Sequence, residues 1–258
     1  MKQFTSRINR IAILCEDMHE LSFAWPASVR APRPGQFVTI RVHDGIQPLL
    51  RRPLAISDFD EKKRVASILF QKRGLATSLL AAKSVGESLD VIGPLGNSFA
   101  MPGKQRSAIV IAGGIGLGPM LFLTRKLASR KSISHFIFGA RTKALVPGPR
   151  VFKGLSAAIC TDDGSAGFHG TVIEYLRALP LMKIKGMQLH ACGPHPMLSA
   201  CHQFAVEHDM PCHVSVEQVM ACGVGACMGC VVRIRKEPGF ARACTEGPVF
   251  ESRDLVWE

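Results

Sequence analysis

The sequence predicts a multidomain α+β protein: an antiparallel β-barrel, then a doubly wound α/β unit, then a small cysteine-rich C-terminal unit. Three observations carry this prediction. Short β-type segments lie between prolines and glycines in the first hundred residues, a strand, glycine turn, helix and strand follow from Ser107, and four cysteines occupy the last 47 residues. A chain of 258 residues with 47% apolar residues can bury two or three cores. We place the units at 1–103, 104–211 and 212–258.

The first unit alternates apolar or β-branched runs with turn residues. Its predicted strands are residues 8–14, 36–42, 54–57 and 65–71, and a short helix is predicted at 77–83. Because short strands punctuated by Pro and Gly are typical of closed antiparallel sheets, we expect a barrel.

The second unit has the pattern of alternating strands and helices. An apolar strand at 108–112, a helix at 119–129 and a strand at 133–138 form a βαβ unit, from which a parallel sheet follows. A further strand is predicted at 188–192, with a helix through 197–207. The charge-free stretch 107–124 approaches membrane-spanning length, but its central glycines and Pro119 break a helix, so no membrane span is expected.

The nine cysteines and the charge of +12 limit the classes of function. Nine thiols cannot all pair, and no apolar secretion segment follows the N-terminus, so a cytoplasmic protein is expected.

The positive charge is unevenly distributed along the chain. Residues 212–258 carry five basic and six acidic side chains, so the positive excess is confined to 1–211. One Tyr and two Trp make base-stacking platforms scarce. We therefore interpret the basic residues as a solvated surface and not as a nucleic-acid-binding one. Only the charge suggests nucleic acid as a partner.

Four C-terminal cysteines have the spacing of an iron–sulfur site. Cys222, Cys227 and Cys230 form a Cys-x4-Cys-x2-Cys run that Cys244 completes, as in plant-type [2Fe–2S] sites. The interleaved glycines permit a tight loop that turns its sulfurs inward. Structural zinc also takes four cysteines, but usually as paired Cys-x2-Cys knuckles, and one such pair is present. The spacing favours the cluster, and a zinc-bound adaptor stays the alternative.

The five other cysteines lack ligand spacing. They are Cys15, Cys160, Cys192, Cys201 and Cys212, and buried, inert thiols are the default for such residues. A second metal site could be built from Cys192, Cys201, His202, His208, Cys212 and His213, but these residues have no shared spacing to support it.

A glycine-rich turn joins the strand at 108–112 to its helix. Its glycines are Gly113, Gly114, Gly116 and Gly118. Glycines there allow backbone amides to approach a pyrophosphate at a helix N-terminus, although such turns also serve close packing and this one lacks the Gly-x-Gly-x-x-Gly pattern. No acid that could hold the adenosine ribose occurs within 133–150, so NADP(H) stands beside NAD(H) as the candidate nucleotide.

Several motifs in a fixed order carry a resemblance that spans nearly the whole chain. They are Arg-Arg-Pro-Leu-Ala-Ile-Ser at 51–57, Gly-Leu-Ala-Thr at 74–77, Gly-Pro-Leu-Gly at 93–96, the glycine turn at 113–118, Cys-Gly-Pro-His-Pro-Met at 192–197, the cysteine loop at 222–230 and Cys-Thr-Glu-Gly-Pro-Val-Phe at 244–250. With them the chain resembles the ferredoxin-reductase-like iron–sulfur flavoproteins, and most closely the electron-transfer subunits of two-subunit, NAD-dependent dihydroorotate dehydrogenases.

The resemblance implies FAD in the barrel and NAD(H) in the α/β unit. The implied FAD-binding residues are Arg52, Pro53, Leu54, Ala55, Ser57, Leu69, Phe70, Gln71, Gly74, Ala76 and Thr77. Arg52 would pair with the pyrophosphate as a forked donor, and Thr77 also suits a helix cap. Gly193 and Pro194 would shape the nicotinamide pocket, with Cys192 near the hydride path as a tentative catalytic residue. Relatives often carry Ser where Ala55 stands, so a hydroxyl near the flavin ring is missing.

The implied activity is electron transfer in pyrimidine biosynthesis. Electrons would pass from the FMN of a catalytic barrel subunit, which oxidises dihydroorotate to orotate, through the [2Fe–2S] cluster and FAD to NAD+, in a heterotetramer of two plus two chains. This chain has no (β/α)8 pattern, so we predict that it cannot oxidise dihydroorotate alone. Similar subunits of ferredoxin:NADP or sulfide-oxidising complexes are the alternative.

Overall fold

The computed structural model describes residues 1–103, 106–180 and 186–257. It confirms the predicted fold class, with a closed six-stranded barrel, a seven-stranded sheet and a two-stranded sheet near the cysteine loop. The predicted unit boundary at residue 104 lies outside the described residues. None of the helices in these ranges is long and apolar enough to cross a membrane.

The barrel is antiparallel, and its strands run in the order β1-β2-β5-β4-β3-β6. Their bounds are β1 Lys2–Ile13, β2 Met18–Ala24, β3 Phe37–Arg41, β4 Arg52–Asp60, β5 Val65–Gln71 and β6 Ser88–Leu95, with helix α1 at Leu75–Ala81. Strands β2 and β6 were not predicted from the sequence. Strand β6 contains Gly93-Pro94, a pair that usually argues against a strand.

The second sheet is parallel except at one edge and runs in the order β10-β9-β8-β7-β11-β12-β15. The strands after the barrel are β7 Ala108–Gly113, β8 Ile133–Ala140, β9 Ala157–Thr161, β10 Phe168–His169, β11 Gln188–Cys192, β12 Cys212–Ser215, β13 Val231–Arg233, β14 Phe240–Arg242 and β15 Val249–Glu251. Strands β12 and β15 thus enter this sheet from beyond residue 211, and the unit boundary at 211/212 stays a prediction.

Helices cover both faces of this sheet. They are α2 Leu117–Ser129, α3 Val172–Ala178 and α4 His195–Glu207. Helix α2 lies on the barrel side, where Phe122 joins the barrel core and Leu121 joins the sheet core. Helices α3 and α4 pack on the opposite face through Leu176 and Phe204. The arrangement is the doubly wound one that the sequence predicts.

Asn97 ties the end of the barrel to the C-terminal segment. Its side-chain N–H donates to the carbonyls of Glu246 (2.6 Å) and Val249 (3.0 Å), and its carbonyl accepts from Val249 N–H at 3.1 Å. Between them, Phe37 and Leu95 of the barrel form a small core with Cys230 and Cys244. The cysteine loop therefore lies directly against the outside of the barrel.

Candidate functional site

Close packing explains three of the glycines at the end of β7 and β11. A Cβ on Gly116 would overlap the main-chain carbonyl of Cys192, one on Gly113 would lie 2.6 Å from Met197 Sδ, and one on Gly193 would lie 2.6 Å from Met197 Cε. Gly114 differs, since it has φ of +53° and open space around the position of a Cβ. Packing therefore builds the turn, and Gly114 leaves its outer side accessible to a ligand.

The glycine turn meets the barrel where the sequence predicts FAD contacts. A Cβ on Gly118 would lie 3.6 Å from Leu69 Cβ and 3.8 Å from Ser57 Cβ. Ser57 and Leu69 are both buried, on β4 and β5. The structure thus brings two predicted FAD contacts and one predicted nucleotide contact together, which fits a flavin and a nicotinamide that must meet.

The two neighbouring arginines of the Arg-Arg-Pro motif have different surroundings. Arg51 forms an ion pair with Asp90. The Arg52 guanidinium donates to the carbonyl of Leu50, and no carboxylate pairs with it among the described residues. Arg52 therefore keeps donors for a pyrophosphate, whose charge a forked guanidinium matches.

The start of α1 offers free backbone N–H groups beside an occupied hydroxyl. Thr77 Oγ1 accepts from the N–H groups of Arg73 (2.9 Å) and Gly74 (3.1 Å), so it caps the helix. The helix starts at Leu75, two residues earlier than the sequence predicts, which places Ala76 in its first turn. Gly74 has no atom within 4 Å of a Cβ position, so a ligand has room there.

Other predicted FAD contacts have their side chains engaged within the protein. Phe70 is 1% exposed, stacks on His19 with ring centroids 5.4 Å apart and belongs to the barrel core. Gln71 donates to Asp17 Oδ2 at 3.0 Å. Leu54 and Ala55 pair with Val38 and Phe37 across β3 and β4. Pro53 is half-buried beside them.

Cys192 ends β11 beside the glycine turn and is half-buried. Burial raises the pKa of its thiol to about 12, against a smaller opposing effect of a hydrogen bond with Ser215. The group is therefore a neutral thiol at neutral pH and not a nucleophile. Pro194, two residues after Cys192, is the N-cap of α4.

An acid missed by the sequence analysis lies beside Arg141. The N–H of Asp162 donates to the Ala140 carbonyl (3.1 Å), and that of Asp163 to the Arg141 carbonyl (3.3 Å). Asp163 Oδ1 accepts from the Ser165 hydroxyl at 2.6 Å, a hydrogen bond that lowers the pKa of this carboxyl. The carboxyl ends of β8 and β9 are adjacent, and that adjacency in a parallel sheet was the signal for it.

The cysteine loop turns through left-handed backbone at Gly223 (φ +70°), Gly225 (φ +87°) and Met228 (φ +58°). The N–H of Val224 donates to the Cys222 sulfur over 3.4 Å, as Gly229 does to Cys227. Such amide donors stabilise thiolates. These residues fit an iron–sulfur group, because thiolate sulfurs and inward amides are what it requires.

The predicted ligands influence one another in two pairs. Cys227 affects the pKa of the Cys222 thiol, and Cys230 affects that of Cys244. Burial raises the pKa of Cys222, but hydrogen bonds from the loop outweigh it and lower the pKa to about 6; burial and Cys230 raise that of Cys244 to about 11. In the part of the chain that the structure describes, no three His, Cys, Asp or Glu side chains form a closed metal-binding group.

Arg242 connects the cysteine loop with the segment that follows β14. Its Nη1 donates to the Gly225 carbonyl at 2.8 Å, and its Nε donates to Glu246 Oε2 at 3.0 Å. The guanidinium holds the pKa of Glu246 at about 2, so both charges persist at any physiological pH. Arg242 therefore fixes the loop between Cys222 and Cys227 to the segment that carries Cys244.

The remaining cysteines have no such surroundings. Cys201 and Cys212 are buried in the sheet core, and burial raises the pKa of each thiol, that of Cys212 to about 12. Cys160 is buried too, with its pKa raised to about 11, and burial also raises that of Cys15. These are protonated thiols at neutral pH.

Comparison with known proteins finds a family model and full-length relatives that match this chain. A family model described as the iron–sulfur cluster binding domain of dihydroorotate dehydrogenase B matches residues 217–256. The electron transfer subunit of dihydroorotate dehydrogenase B (NAD(+)) from Desulforamulus reducens is 36% identical over 261 residues, covering 100% of this chain and 99% of the relative. The same subunit from a Geobacillus species is 35% identical, covering 99% of each chain.

Solved structures agree on the fold. The structure of an NADH-dependent reduced ferredoxin-NADP oxidoreductase superposes with a TM-score of 0.81 at 27% identity, covering 98% of this chain and 90% of that chain. The ferredoxin reductase of a carbazole 1,9a-dioxygenase has a TM-score of 0.70 at 20% identity over 83% of this chain and 68% of its own, which shows the fold alone.

Proposed function

The chain belongs to the family of dihydroorotate dehydrogenase B electron-transfer subunits, and on that premise we propose that it carries electrons from a dihydroorotate-oxidising partner to NAD+. FAD in the barrel and a [2Fe–2S] cluster on Cys222, Cys227, Cys230 and Cys244 are the cofactors. When bound, the flavin converts between the two-electron exchange of a nicotinamide and the one-electron exchange of the cluster.

The main support for this proposal is that the barrel contacts both the glycine turn and the cysteine loop. On one side, Gly118 of the glycine turn approaches Ser57 and Leu69. On another, Gly223 of the cysteine loop packs on Thr39, where a Cβ would lie 2.7 Å from Thr39 Cγ2. A flavin in the barrel would thus have the nicotinamide and the cluster as neighbours, the order that an electron wire needs.

The residues of this chain have positioning roles in the proposal. Arg52 and the free N–H groups at the start of α1 hold the flavin pyrophosphate. Gly114 admits the dinucleotide pyrophosphate, while Gly193 and Pro194 shape the nicotinamide pocket. Cys192, as a neutral thiol, lines that pocket and excludes water.

Asp163 supplies the acid that residues 133–150 lack, and this supports NADH as the nucleotide. A carboxylate accepts hydrogen bonds from ribose hydroxyls and repels a ribose phosphate. Arg141 lies beside it and would favour NADPH, so the preference depends on the balance between these two side chains. Asp163→Asn is expected to narrow the preference for NADH over NADPH, measured as the ratio of flavin reduction rates.

The proposed partner is an FMN-containing catalytic subunit in a two-plus-two heterotetramer in the cytoplasm. The exposed side of the cysteine loop supports a docking face there: Cys227 is exposed, Met228 is 42% exposed and Val219 is 81% exposed. An apolar face around a redox centre suits contact with another protein.

Reconstitution tests the proposal. The anaerobically purified chain is mixed with dihydroorotate, alone and with the catalytic subunit, and flavin absorbance is followed. The flavin should bleach in the complex and not in the isolated chain. Bleaching of the isolated chain by dihydroorotate would overturn the predicted division of labour.

A second candidate has a specific observation in its favour. The ferredoxin-NADP oxidoreductase structure matches this chain over 98% of its length. A subunit of that class would co-purify with a larger iron–sulfur protein, whereas the proposed function requires a flavin-bearing barrel partner. Isolation of the native complex separates the two.

A further inference from the structure

A buried threonine whose hydroxyl has no partner lies against the cysteine loop. Thr39 on β3 is 2% exposed, and its Oγ1 makes no hydrogen bond to any described residue. Burying a hydroxyl without a partner is unfavourable, so such a group calls for an explanation, and an acceptor that the bare polypeptide does not supply is one.

The strand pattern directs Thr39 outward from the barrel. Val38 and Ile40 are fully buried in the barrel core. Phe37, two residues before Thr39, instead packs with Cys230 and Cys244 outside the barrel. Because side chains alternate along a strand, Thr39 shares the face of Phe37.

Gly223 follows directly after the ligand Cys222 and packs into a niche that Thr39 lines. A Cβ at Gly223 would lie 2.7 Å from Thr39 Cγ2, 3.9 Å from Leu95 Cδ1 and 4.0 Å from Phe37 Cε2. These three atoms are carbons, and the Thr39 hydroxyl shares its Cβ with the nearest of them. Thiolate and sulfide sulfurs accept hydrogen bonds and cannot donate them, so they match an O–H that lacks an acceptor.

We propose that the Thr39 hydroxyl donates a hydrogen bond to a sulfur of the iron–sulfur group held by the cysteine loop. Thr39 is then a positioning residue contributed by the flavin-binding barrel to the cluster. Hydrogen bonds to cluster sulfurs favour the reduced state, because reduction adds negative charge to those sulfurs. The inference rests on the proposed function, since it requires the cluster.

Three substitutions in the full-length, anaerobically purified chain test it. Thr39→Val removes the hydroxyl and keeps the β-branched shape, and Thr39→Ser keeps the hydroxyl. Thr124→Val is the matched control, because Thr124 Oγ1 on α2 is also buried without a partner but belongs to another part of the molecule. Each variant is studied by paramagnetic resonance during a redox titration, and by deuterium coupling after exchange into D2O.

Thr39→Val is expected to lower the cluster potential and remove one exchangeable deuteron coupling, while the flavin potential stays unchanged. Thr39→Ser and Thr124→Val should both behave as the wild type. A Thr39→Val chain with the wild-type potential and coupling would overturn the inference and leave the proposed function intact. A wild-type chain that binds no iron would overturn both.

Discussion

The two glycine-rich loops of this chain, 113–118 and 222–230, use glycine for different physical reasons. In the nucleotide loop, a Cβ on Gly116 would overlap the backbone at Cys192, although its own φ of −57° suits any residue. In the cysteine loop, Gly223 and Gly225 have positive φ, and what a Cβ would meet is side chains, those of Thr39 and Thr245.

The nucleotide loop is therefore shaped by close packing, whereas the cysteine loop is held in place by a few specific contacts. The nucleotide loop is enclosed by β11 and α4, so its shape follows from the sheet. The cysteine loop depends on Arg242, on Asn97 through the C-terminal segment, and on the group that its sulfurs bind. Damage to the first should therefore reduce the stability of the fold, and damage to the second should chiefly affect the cluster.

The largest expected effect is that of Gly116→Ala. The new Cβ would overlap the Cys192–Gly193 peptide, which is backbone and cannot yield as a side chain can, so overpacking should lower the free energy of unfolding by about 3 kcal/mol. Urea denaturation measures the change. Gly148→Ala is the control, because Gly148 has φ of −58° and open space at its Cβ, and it should change stability by less than about 0.5 kcal/mol. Equal effects would contradict the account of the nucleotide loop.

The nucleotide-binding sheet should also carry a pH dependence of its own, centred on one buried histidine. His190 on β11 is fully buried between Phe99 and His213 with both ring nitrogens unpaired. Burial, and to a smaller extent His213, lowers its pKa from 6.5 to about 3. His213 contacts Gln188 and Glu251, which do not reach His190 by any hydrogen bond in the described chain.

Since the folded pKa of His190 is depressed, its contribution to stability is present above pH 6.5 and is lost as the pH falls toward 3. Between pH 7 and pH 5 the unfolding free energy should fall by about 2 kcal/mol through this residue. His190→Leu should remove that part of the slope in urea denaturation at the two pH values. A slope unchanged by His190→Leu would assign the pH dependence elsewhere.

Asn97 tests the connection between the two regions. Asn97→Ala removes three hydrogen bonds to the C-terminal segment, at about 0.5–1 kcal/mol each, so a loss of about 2 kcal/mol is expected. Hydrogen exchange at the Val249 amide should accelerate with it. Asn9→Ala, on an exposed position of β1, is the matched control and should leave both unchanged.

The smallest effect on the fold is expected from Arg242→Gln. Its guanidinium is partly exposed, so its loss should lower the unfolding free energy by less than Asn97→Ala does, yet iron should leave the loop faster in a chelator challenge. Arg242→Lys should rescue retention only partly, because an ammonium lacks the fork. Lys236→Gln, which breaks the Lys236–Asp254 pair in the same unit, should not change retention.

The parts of the molecule that local pattern determines could be predicted from sequence. The glycine turn with its flanking strands and the spacing of the cysteines are of this kind, since short runs of residues specify them. Strands β2 and β6 were missed because His19, Glu20 and Gly93-Pro94 interrupt their alternation. Phe70 stays a predicted FAD contact, and the position of its ring in the barrel core is a result of tertiary packing that the sequence does not show.

Contacts between distant elements could not be predicted in the same way. The main chain of Asp163 bonds to that of Arg141 because β8 and β9 are parallel neighbours, and Thr39 lies against Gly223 because of the side of the barrel on which the cysteine loop lies. Both depend on sheet order and register. A linear pattern does not contain that information.

The central claim is that one chain joins a nicotinamide, a flavin and an iron–sulfur cluster. Visible and paramagnetic resonance spectra of the anaerobically purified chain, recorded before and after addition of NADH and then NADPH, test it most directly. The account predicts flavin bands that bleach with NADH and a rhombic [2Fe–2S] signal that appears on reduction. Flavin reduction without any iron signal, or a colourless protein, would contradict it.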